Sequence, residues 1–319
     1  MTTTNEMRPR SLDEIVGQET LKKKVRIAIG ATLQRGEPLP HCLLTSAGGG
    51  LGKTTLAKIL AEEMFSPLVC TSGQCLEAVA DLRNILLRLK PGTLVLVDEF
   101  HGIGKLAAEE LLLVLEERVI NVNVGPSRVP LRIDVPPFTL IAATTKPEAI
   151  SAPLAQRFGL RFHFEYYSVA EIHQIIERVF SNWFIGIPPD VAHGIARRSR
   201  GVPRLALRLS ERVRDAVQAH QVSVASQQIL ELALSLEGID DLGLSREERA
   251  MLQCLATADP RPVSARSLAL SLGVGIPTVI EVLEPSLVRL GLMTVGMGGR
   301  RISESGLRHL ENSAKRVEA

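Results

Sequence analysis

The sequence predicts an α/β domain with a parallel sheet and helices on both of its faces, followed by a small all-α domain and a C-terminal winged helix. Short apolar runs alternate with helical patterns over residues 1–167 of the 319-residue chain. Residues 168–243 show no strand pattern, and their apolar residues recur at helical spacing. Residues 244–319 show three short helical patterns followed by a glycine-rich hairpin, which is the element order of a winged helix.

The elements of the first domain follow from apolar spacing and from helix and strand breakers. Ser11 begins a helical stretch, in which Leu12 and Ile15 are three residues apart and Leu21, Val25 and Ile29 are four residues apart. Alternating apolar and polar residues over 119–133 predict an inserted β-hairpin. The other predicted elements are strands at 42–44, 68–70, 93–97 and 139–143 and helices at 54–64, 76–89 and 106–117.

The C-terminal region is divided by the same signals. Helices are expected at 246–255 and 265–272. A third helix is expected to begin at Pro277, because proline is favoured in the first turn. Two short strands are expected within residues 293–302, around a glycine-rich turn.

Composition limits the possible partners and locations. Aromatic residues make up 3% of the chain, which leaves few side chains to stack on unpaired bases. Lysines and arginines number 37 against 35 acidic residues, so binding of nucleic acid would need a local basic patch. The four cysteines form no CxxC pair, which favours inert thiols over a zinc site. Because no signal core and no apolar run of membrane-spanning length occur, we expect a soluble, cytoplasmic protein with no membrane partner.

A glycine-rich segment directly after the first strand predicts a phosphate-binding loop. Glycines let several backbone N–H groups face one anion, and the following helix N-terminus adds positive charge. Lys53 is expected to reach the outer phosphates of a nucleotide, and the Thr54 hydroxyl to ligate Mg²⁺. Ala47 stands where the common pattern has glycine, and a flexible linker is the alternative interpretation. The segment reads Gly48-Gly49-Gly50-Leu51-Gly52-Lys53-Thr54-Thr55.

Polar residues at the ends of two later strands predict the hydrolytic part of the same site. Asp98 and Glu99 end the strand at 93–97, at the sheet edge where ligands bind in such folds. We expect Asp98 to hold Mg²⁺ through water and Glu99 to orient or deprotonate the attacking water. Thr145, after the strand at 139–143, is expected to contact the γ-phosphate or the water. The alternatives are a solvated strand end for Asp98 and Glu99 and a plain strand cap for Thr145.

Two arginines are candidates for stabilising the negative charge that develops during phosphoryl transfer. Arg157 lies in the segment Pro-Leu-Ala-Gln-Arg-Phe-Gly and is a candidate arginine finger. Arg204 follows a Gly-Val-Pro sequence near a predicted helix start. Surface ion pairing is the alternative for both residues.

Several segments together resemble the RuvB family of bacterial Holliday-junction branch-migration motors, which are α/β P-loop ATPases of the AAA+ class. The resemblance runs from about residue 7 to residue 310, and it is more specific than a general AAA+ match. Matching segments occur at 7–18, 125–127, 134–141, 157–159, 198–204, 212–215 and 284–285.

The resemblance implies roles for the nucleotide-binding residues. On the adenine side it places Arg8, Pro9, Ile15 and Val16, with Tyr167 nearby. On the phosphates it places Gly50, Gly52, Lys53, Thr54 and Thr55.

The resemblance also implies the catalytic roles. Asp98 would serve Mg²⁺ and Glu99 the water, while Thr145 would be the first sensor. Arg157 would be the finger that reaches a neighbouring subunit's nucleotide, and Arg204 the second sensor.

Family members act as hexameric rings around duplex DNA and are recruited to the four-way junction by RuvA. The resemblance therefore implies ATP and Mg²⁺ as cofactors, a homohexamer, and branched DNA and a RuvA-like protein as partners. The family's RuvA-contacting hairpin corresponds to residues 119–133. We expect this hairpin to expose Val122 and Val124, or their neighbours, as an interaction surface.

The chain departs from the family pattern in its phosphate loop, near its acidic pair and in its wing. Residues 47–49 read Ala-Gly-Gly where the family has Gly-Pro-Pro, and the stretch 41–53 is one residue longer. Gly102 and Ala155 replace two family arginines. In the wing, residues 294–300 retain only the last of the family's arginines.

The wing arginines are the candidate DNA contacts. Arg300 and Arg301 lie on a glycine-rich turn, from which they are expected to reach the DNA backbone without reading sequence. Glu281 and Glu284 on the third helix would repel phosphates. A winged helix that contacts protein is the alternative.

Two other functions remain open on sequence alone. One is an ATPase that acts on another partner, such as a clamp-loading or protein-remodelling relative, and the inserted hairpin and winged helix argue against it. The other is a nucleotide-gated DNA-binding module with weak hydrolysis, suggested by the altered phosphate loop. The presence of Lys53, Asp98, Glu99 and Arg157 argues against that second alternative.

Overall fold

A computed structural model describes residues 7–124 and 129–317 of the chain. The segment at 125–127, used above as part of the resemblance, lies outside these residues, as does the side chain of Val124. The chain divides into two compact units, Met1–Glu211 and Arg212–Ala319. Within the described residues, no helix combines the length and the apolar character that are needed to cross a membrane.

Strands and helices alternate in the first part of the chain, as predicted. The strands are β1 Cys42–Ser46, β2 Leu68–Ser72, β3 Thr93–Asp98, β4 Val119–Val124, β5 Val129–Asp134, β6 Phe138–Thr144 and β7 Leu160–Phe164. The helices up to residue 219 are α1 Glu19–Arg35, α2 Lys53–Glu63, α3 Val79–Leu86, α4 Lys105–Glu117, α5 Ala152–Gln156, α6 Val169–Asn182, α7 Pro189–Arg198 and α8 Pro203–Ala219.

The five-stranded parallel sheet has the order β2-β3-β6-β1-β7. Strand β6 is buried along its whole length and β3 along all but its last residue, as expected for strands covered on both faces. Because β1 and β3 flank β6, the loop after β1 and the acids at the end of β3 meet at one edge of the sheet. This topology brings the phosphate loop and the acidic pair together. Strand β7, which no sequence signal predicted, forms one edge of the sheet.

The prediction that a helix begins at Ser11 is wrong. Helix α1 begins at Glu19, after Gly17 and Gln18, which have left-handed backbone with φ of 63° and 54°. A Cβ on Gly17 would lie 2.0 Å from an oxygen of Glu171, so glycine allows the chain to turn against α6. The residues before the turn form an irregular segment in which the side chains of Met7, Leu12 and Ile15 are buried.

The hairpin β4–β5 is antiparallel, as predicted, with Val122 opposite Leu131. Val122 is partly buried and packs against the core beneath the sheet, so the exposed apolar surface expected at Val122, Val124 or their neighbours does not come from Val122. Its cross-strand neighbour Leu131 is 49% exposed and presents the apolar surface instead. The two side chains therefore take opposite roles in the hairpin.

The second unit contains the winged helix, which confirms the predicted fold of the C-terminal region. It has its own apolar core, built around Leu252, Leu268 and Leu287. Its elements after residue 219 are α9 Gln227–Glu237, α10 Arg246–Ala258, α11 Ala265–Leu272, a π-helical turn Thr278–Leu283, α12 Glu284–Arg289, β8 Met293–Gly296, β9 Gly299–Ile302 and α13 Glu304–Val317. The terminal helix α13 was not predicted.

Candidate active site

The loop between β1 and α2 wraps closely around an open cradle, as the glycine pattern predicts. Gly50 and Gly52 have φ of 81° and 114°, which residues with side chains rarely adopt. A Cβ on Gly48 would lie 2.6 Å from the Tyr166 hydroxyl oxygen, so the altered segment is still packed tightly. Helix α2 begins at Lys53, which places its first N–H groups at this cradle.

Arg204 packs directly over the phosphate loop. Its backbone N–H donates to the Gly50 carbonyl oxygen at 3.4 Å. A Cβ on Gly50 would lie 2.7 Å from the Arg204 Cβ and 3.1 Å from Val202 Cγ1. The start of α8 and the loop therefore fit together only because Gly50 has no side chain.

Gly50→Ala is expected to weaken ATP binding by about tenfold, because left-handed strain of about 1–2 kcal/mol adds to the collision with Arg204. Gly49→Ala is the matched control: a Cβ there would meet only the Arg204 Nη1 atom, at 4.0 Å. Titration of both variants with a fluorescent ATP analogue tests the prediction. Equal affinities for the two variants would contradict it.

Lys53 is buried at the base of the loop. Its Nζ donates to Ser46 Oγ at 2.6 Å, and Ser46 Oγ in turn donates to the Gly48 carbonyl oxygen at 2.6 Å. Desolvation by burial lowers the pKa of Lys53, although the nearby carboxylates of Glu99 and Asp98 oppose the shift. The neighbouring carboxylates therefore do not compensate fully for the desolvation of the Lys53 ammonium, and a bound triphosphate would supply the missing negative charge.

ATP binding is expected to take up protons at alkaline pH. The pKa of Lys53 lies below the ordinary 10.5 in the free protein, and the negative phosphates would raise it. Affinity is therefore highest below the lowered pKa and falls as pH rises through it. Calorimetry in buffers of different ionisation enthalpy measures the uptake. Lys53→Arg, whose side chain does not titrate, should show none.

Thr54 and Asp98 form the oxygen-rich part of the site. Thr54 Oγ1 donates to Asp98 Oδ2 at 2.8 Å, and Asp98 Oδ1 accepts the Glu99 N–H at 3.0 Å. A hydroxyl and a carboxylate are ligands that fit Mg²⁺, which keeps waters and phosphate oxygens in its remaining positions. The described residues hold no cluster of three or more His, Cys, Asp or Glu side chains that could hold a metal ion.

Glu99 is held in strained backbone at the tip of β3. Its φ is 46°, a conformation that costs free energy for a residue with a side chain and is common at functional sites. Its Oε2 atom lies 3.4 Å from His101 Nδ1 and has no hydrogen-bond partner among the described residues. His101 Nδ1 also lies 3.0 Å from Thr144 Oγ1. A carboxylate oxygen is thus available to accept a proton or a hydrogen bond.

The irregular segment before α1 covers the other side of the cavity. It is held by Arg178 of α6, whose Nη1 donates to the Glu14 carbonyl oxygen at 2.6 Å. Lys22 donates to the Ile15 carbonyl oxygen at 2.9 Å. These contacts hold backbone and apolar side chains where a flat base could stack.

These elements enclose a cavity of about 520 Å³ within the first unit. Most of the predicted nucleotide residues line it: Arg8, Pro9, Ile15, Val16, Gly50, Gly52, Lys53, Thr54, Thr55, Asp98, Glu99, Tyr167 and Arg204. Gly49 and Leu51 of the predicted phosphate loop also line it. The lining residues that sequence reasoning missed are Met7, Phe164, Ile175, Arg178, Pro203, Leu207, Arg208 and Glu211.

Tyr167 packs under the phosphate loop. Its hydroxyl donates to the Leu51 carbonyl oxygen at 3.4 Å. Burial raises the pKa of Tyr167 to about 12, with a further rise from the charge of Glu171. The phenol therefore remains neutral and acts as a hydrogen-bond donor to the loop.

Thr145 and Arg157 do not line the cavity. Thr145 is half-buried directly after β6, and the buried Thr144 before it contacts His101. Arg157 follows α5 and forms a hydrogen-bonded ion pair with Glu116 of α4. The finger candidate is thus held outside the cavity of its own chain.

The wing arginines differ in their surroundings. Arg300 Nε donates to Glu284 Oε1 at 2.7 Å and its Nη2 to Oε2 at 3.2 Å, with side chains only 16% and 9% exposed. Arg301, on the same strand β9, is exposed. The structure therefore places Arg300 in an internal ion pair and leaves Arg301 at the surface.

Arg300→Met is expected to lower the free energy of unfolding by about 2–4 kcal/mol, because it leaves the Glu284 carboxylate buried without its partner. Arg301→Met, on the neighbouring exposed position, is expected to change it by about 0.5 kcal/mol or less. Urea unfolding of the full chain measures both values. Comparable losses in the two variants would contradict the assignment.

The strand–loop–helix cradle, the acidic pair at the tip of β3 and the arginine from α8 define a P-loop ATPase of the AAA+ class. Comparison with models of protein families narrows this class to one family. The Holliday junction DNA helicase RuvB P-loop domain matches residues 7–164, the RuvB AAA lid domain residues 167–240 and the RuvB C-terminal winged helix domain residues 241–311. The chain belongs to the RuvB family.

Individual relatives agree with this assignment along nearly the whole chain. The Holliday junction branch migration complex subunit RuvB of Thermotoga maritima is 39% identical over 96% of this chain and 92% of its own length. The Cutibacterium acnes protein of the same name is 40% identical over 95% and 90%. The solved Thermotoga maritima RuvB branch migration motor superposes with a TM-score of 0.86, at 38% identity over 96% of this chain and 98% of that one.

Proposed function

We propose that this chain is an ATP hydrolase that drives branch migration of Holliday junctions, in homologous recombination and DNA repair. The observation that carries the proposal is a cavity in which Lys53, the Thr54–Asp98 pair and Glu99 face one another, in a member of the RuvB family. The named relatives are branch migration subunits over nearly their full lengths. This supports the same activity here.

The chain's own residues account for hydrolysis. Lys53 and the α2 N-terminus hold the outer phosphates, and Thr54 and Asp98 would hold Mg²⁺, which would neutralise negative charge on the phosphates. The Oε2 atom of Glu99, which has no hydrogen-bond partner among the described residues, accepts a hydrogen bond from the attacking water and takes its proton. Arg204, packed on the loop, stabilises the charge that develops on the γ-phosphate.

Subunit contacts complete this site in the proposal. Arg157 extends from the outside of one subunit to the nucleotide of its neighbour in a homohexameric ring. Thr145 reaches the γ-phosphate or the water once a nucleotide is bound. The hairpin at 119–133, with Leu131 on its surface, docks a RuvA-like protein, and the assembly works in the cytoplasm.

The division of labour follows the three predicted domains. Residues 1–167 form the ATPase domain, residues 168–243 the lid and residues 244–319 the winged helix that contacts duplex DNA. The lid contributes Arg204, whose backbone N–H donates to the Gly50 carbonyl oxygen of the phosphate loop.

ATPase assays with different DNAs test the proposal. Four-way-junction DNA should stimulate turnover more than linear duplex of the same length and composition, and both more than no DNA. A RuvA-like protein from a related bacterium should increase the difference. Turnover that is indifferent to DNA would reject the branch-migration activity and leave a P-loop ATPase with another partner.

A further inference from the structure

Arg300 is the one wing arginine that this chain shares with the family pattern, and its ion pair with Glu284 makes it unavailable for DNA contact. Both Glu284 oxygens accept from its guanidinium, in a mostly buried position. A phosphate contact by Arg300 would leave the Glu284 carboxylate unpaired, at a cost that one exposed phosphate contact does not offset. If the winged helix binds DNA, its positive charge must come from other residues.

A second segment lies directly beside the wing. Val263 and Arg300 exchange backbone hydrogen bonds of 2.9 and 2.8 Å, forming an antiparallel bridge between β9 and the segment before α11. A Cβ on Gly298 would lie 3.4 Å from Pro262, and one on Gly299 would lie 2.7 Å from the Val263 carbonyl oxygen. Residues 261–263 and the wing therefore form one continuous surface.

This surface carries three arginines. Arg301 lies on β9, Arg261 two residues before the bridge and Arg266 in the first turn of α11. All three are exposed, and none forms a side-chain ion pair or hydrogen bond within the described residues. The exposed Asp259 is the one acid in the 259–266 segment, so the surface has an excess of positive charge.

From these contacts and charges we infer that Arg261, Arg266 and Arg301 form the phosphate-contacting surface of the winged helix and bind the backbone of duplex DNA. The inference rests on the proposed function, since it names the residues that grip the motor's DNA. Arg300 supports this surface from inside by tying β9 to α12. Guanidinium groups suit the task because they bind phosphate oxygens in a bidentate manner. The contacts carry no sequence information, as a motor on any sequence requires.

Salt dependence of DNA binding tests the inference. The full chain and its variants are titrated onto a fluorescent linear duplex by anisotropy, at several salt concentrations. The triple variant Arg261→Gln, Arg266→Gln, Arg301→Gln should lower the slope of log affinity against log salt by about 2.7, at ~0.9 per phosphate contact. The triple exchange of the same residues to lysine keeps the charges and should retain most of the slope.

A single variant controls for net charge. Arg308→Gln removes an exposed arginine of α13 that pairs with Glu304, and it should leave the slope unchanged. Thermal melting of each variant establishes that it is folded. An unchanged slope in the folded glutamine triple variant overturns the inference while the proposed function stands. Absence of DNA binding by the unmodified chain overturns both.

Discussion

Replacing Arg157 by alanine is expected to leave ATP binding intact and to lower turnover by about 10³–10⁵-fold, the range found for removal of an arginine finger. The side chain lies outside the cavity of its own subunit, where Glu116 accepts a hydrogen bond from it. It therefore contributes nothing to nucleotide affinity in the same chain. Fluorescent-nucleotide titration and steady-state phosphate release measure the two effects separately.

Mixing experiments show whether the finger acts between subunits. In the proposed mechanism Arg157→Ala lacks the finger and Glu99→Gln lacks the group that activates water, so each alone should be inactive. In a mixed ring, a Glu99→Gln subunit supplies Arg157 to a neighbour that still has Glu99, and part of the activity should return. Glu116→Gln is the control, since it keeps the guanidinium and removes only the charge that holds it. A mixture no more active than its components would exclude catalysis in trans.

The phosphate site could be predicted almost completely because its residues are close in sequence. The glycines, Lys53 and Thr54 are consecutive, and their geometry follows from a strand–loop–helix unit. The acids at the end of β3 could be placed beside them, since the ends of neighbouring parallel strands share one sheet edge. The local sequence and the sheet topology together are therefore enough to predict the phosphate-binding half of the site.

On the side of the cavity assigned to the adenine base, some residues could be predicted through the resemblance and the others were missed. Arg178, Leu207 and Arg208 lie on α6 and α8, and which face of a helix meets a cavity depends on how the helices pack. The same limit explains the error at Ser11. Leu12 and Ile15 have helical spacing, but their burial comes from packing of an irregular segment that Arg178 holds in place.

The wing shows how one tertiary contact changes the role predicted for a residue. Arg300 and Arg301 are adjacent and chemically identical, so sequence assigns both to DNA. In the structure, neighbouring residues of a strand point to opposite faces, and only Arg300 meets Glu284. The same pairing neutralises a carboxylate that the sequence suggested would repel phosphates. The sequence shows how many arginines the wing has, but not which of them are free to bind phosphate.

Lys53→Met is expected to lower turnover by about 10²–10³-fold or more, because the variant loses an ammonium that faces the developing charge in a water-poor site. ATP affinity should also fall, by about 10–100-fold for the loss of charge-assisted hydrogen bonds worth about 1.5–3 kcal/mol. Lys58→Met removes the same charge from an exposed position on α2 and should retain both activities. Nucleotide titration and phosphate-release assays of the pair test these values.

Lys53→Met should lower activity without lowering the thermal stability of the nucleotide-free protein. The lowered pKa of Lys53 means that its charged form is disfavoured in the free folded protein, so the penalty is present at neutral pH and disappears as pH rises towards 10.5. Methionine has similar length without the charge, and the nucleotide-free Lys53→Met variant should therefore melt no lower than the unmodified chain. ATP with Mg²⁺ at the same concentration should raise the melting temperature of the unmodified chain more than that of the variant. A variant that melted lower without nucleotide would show that Lys53 supports the fold rather than the triphosphate.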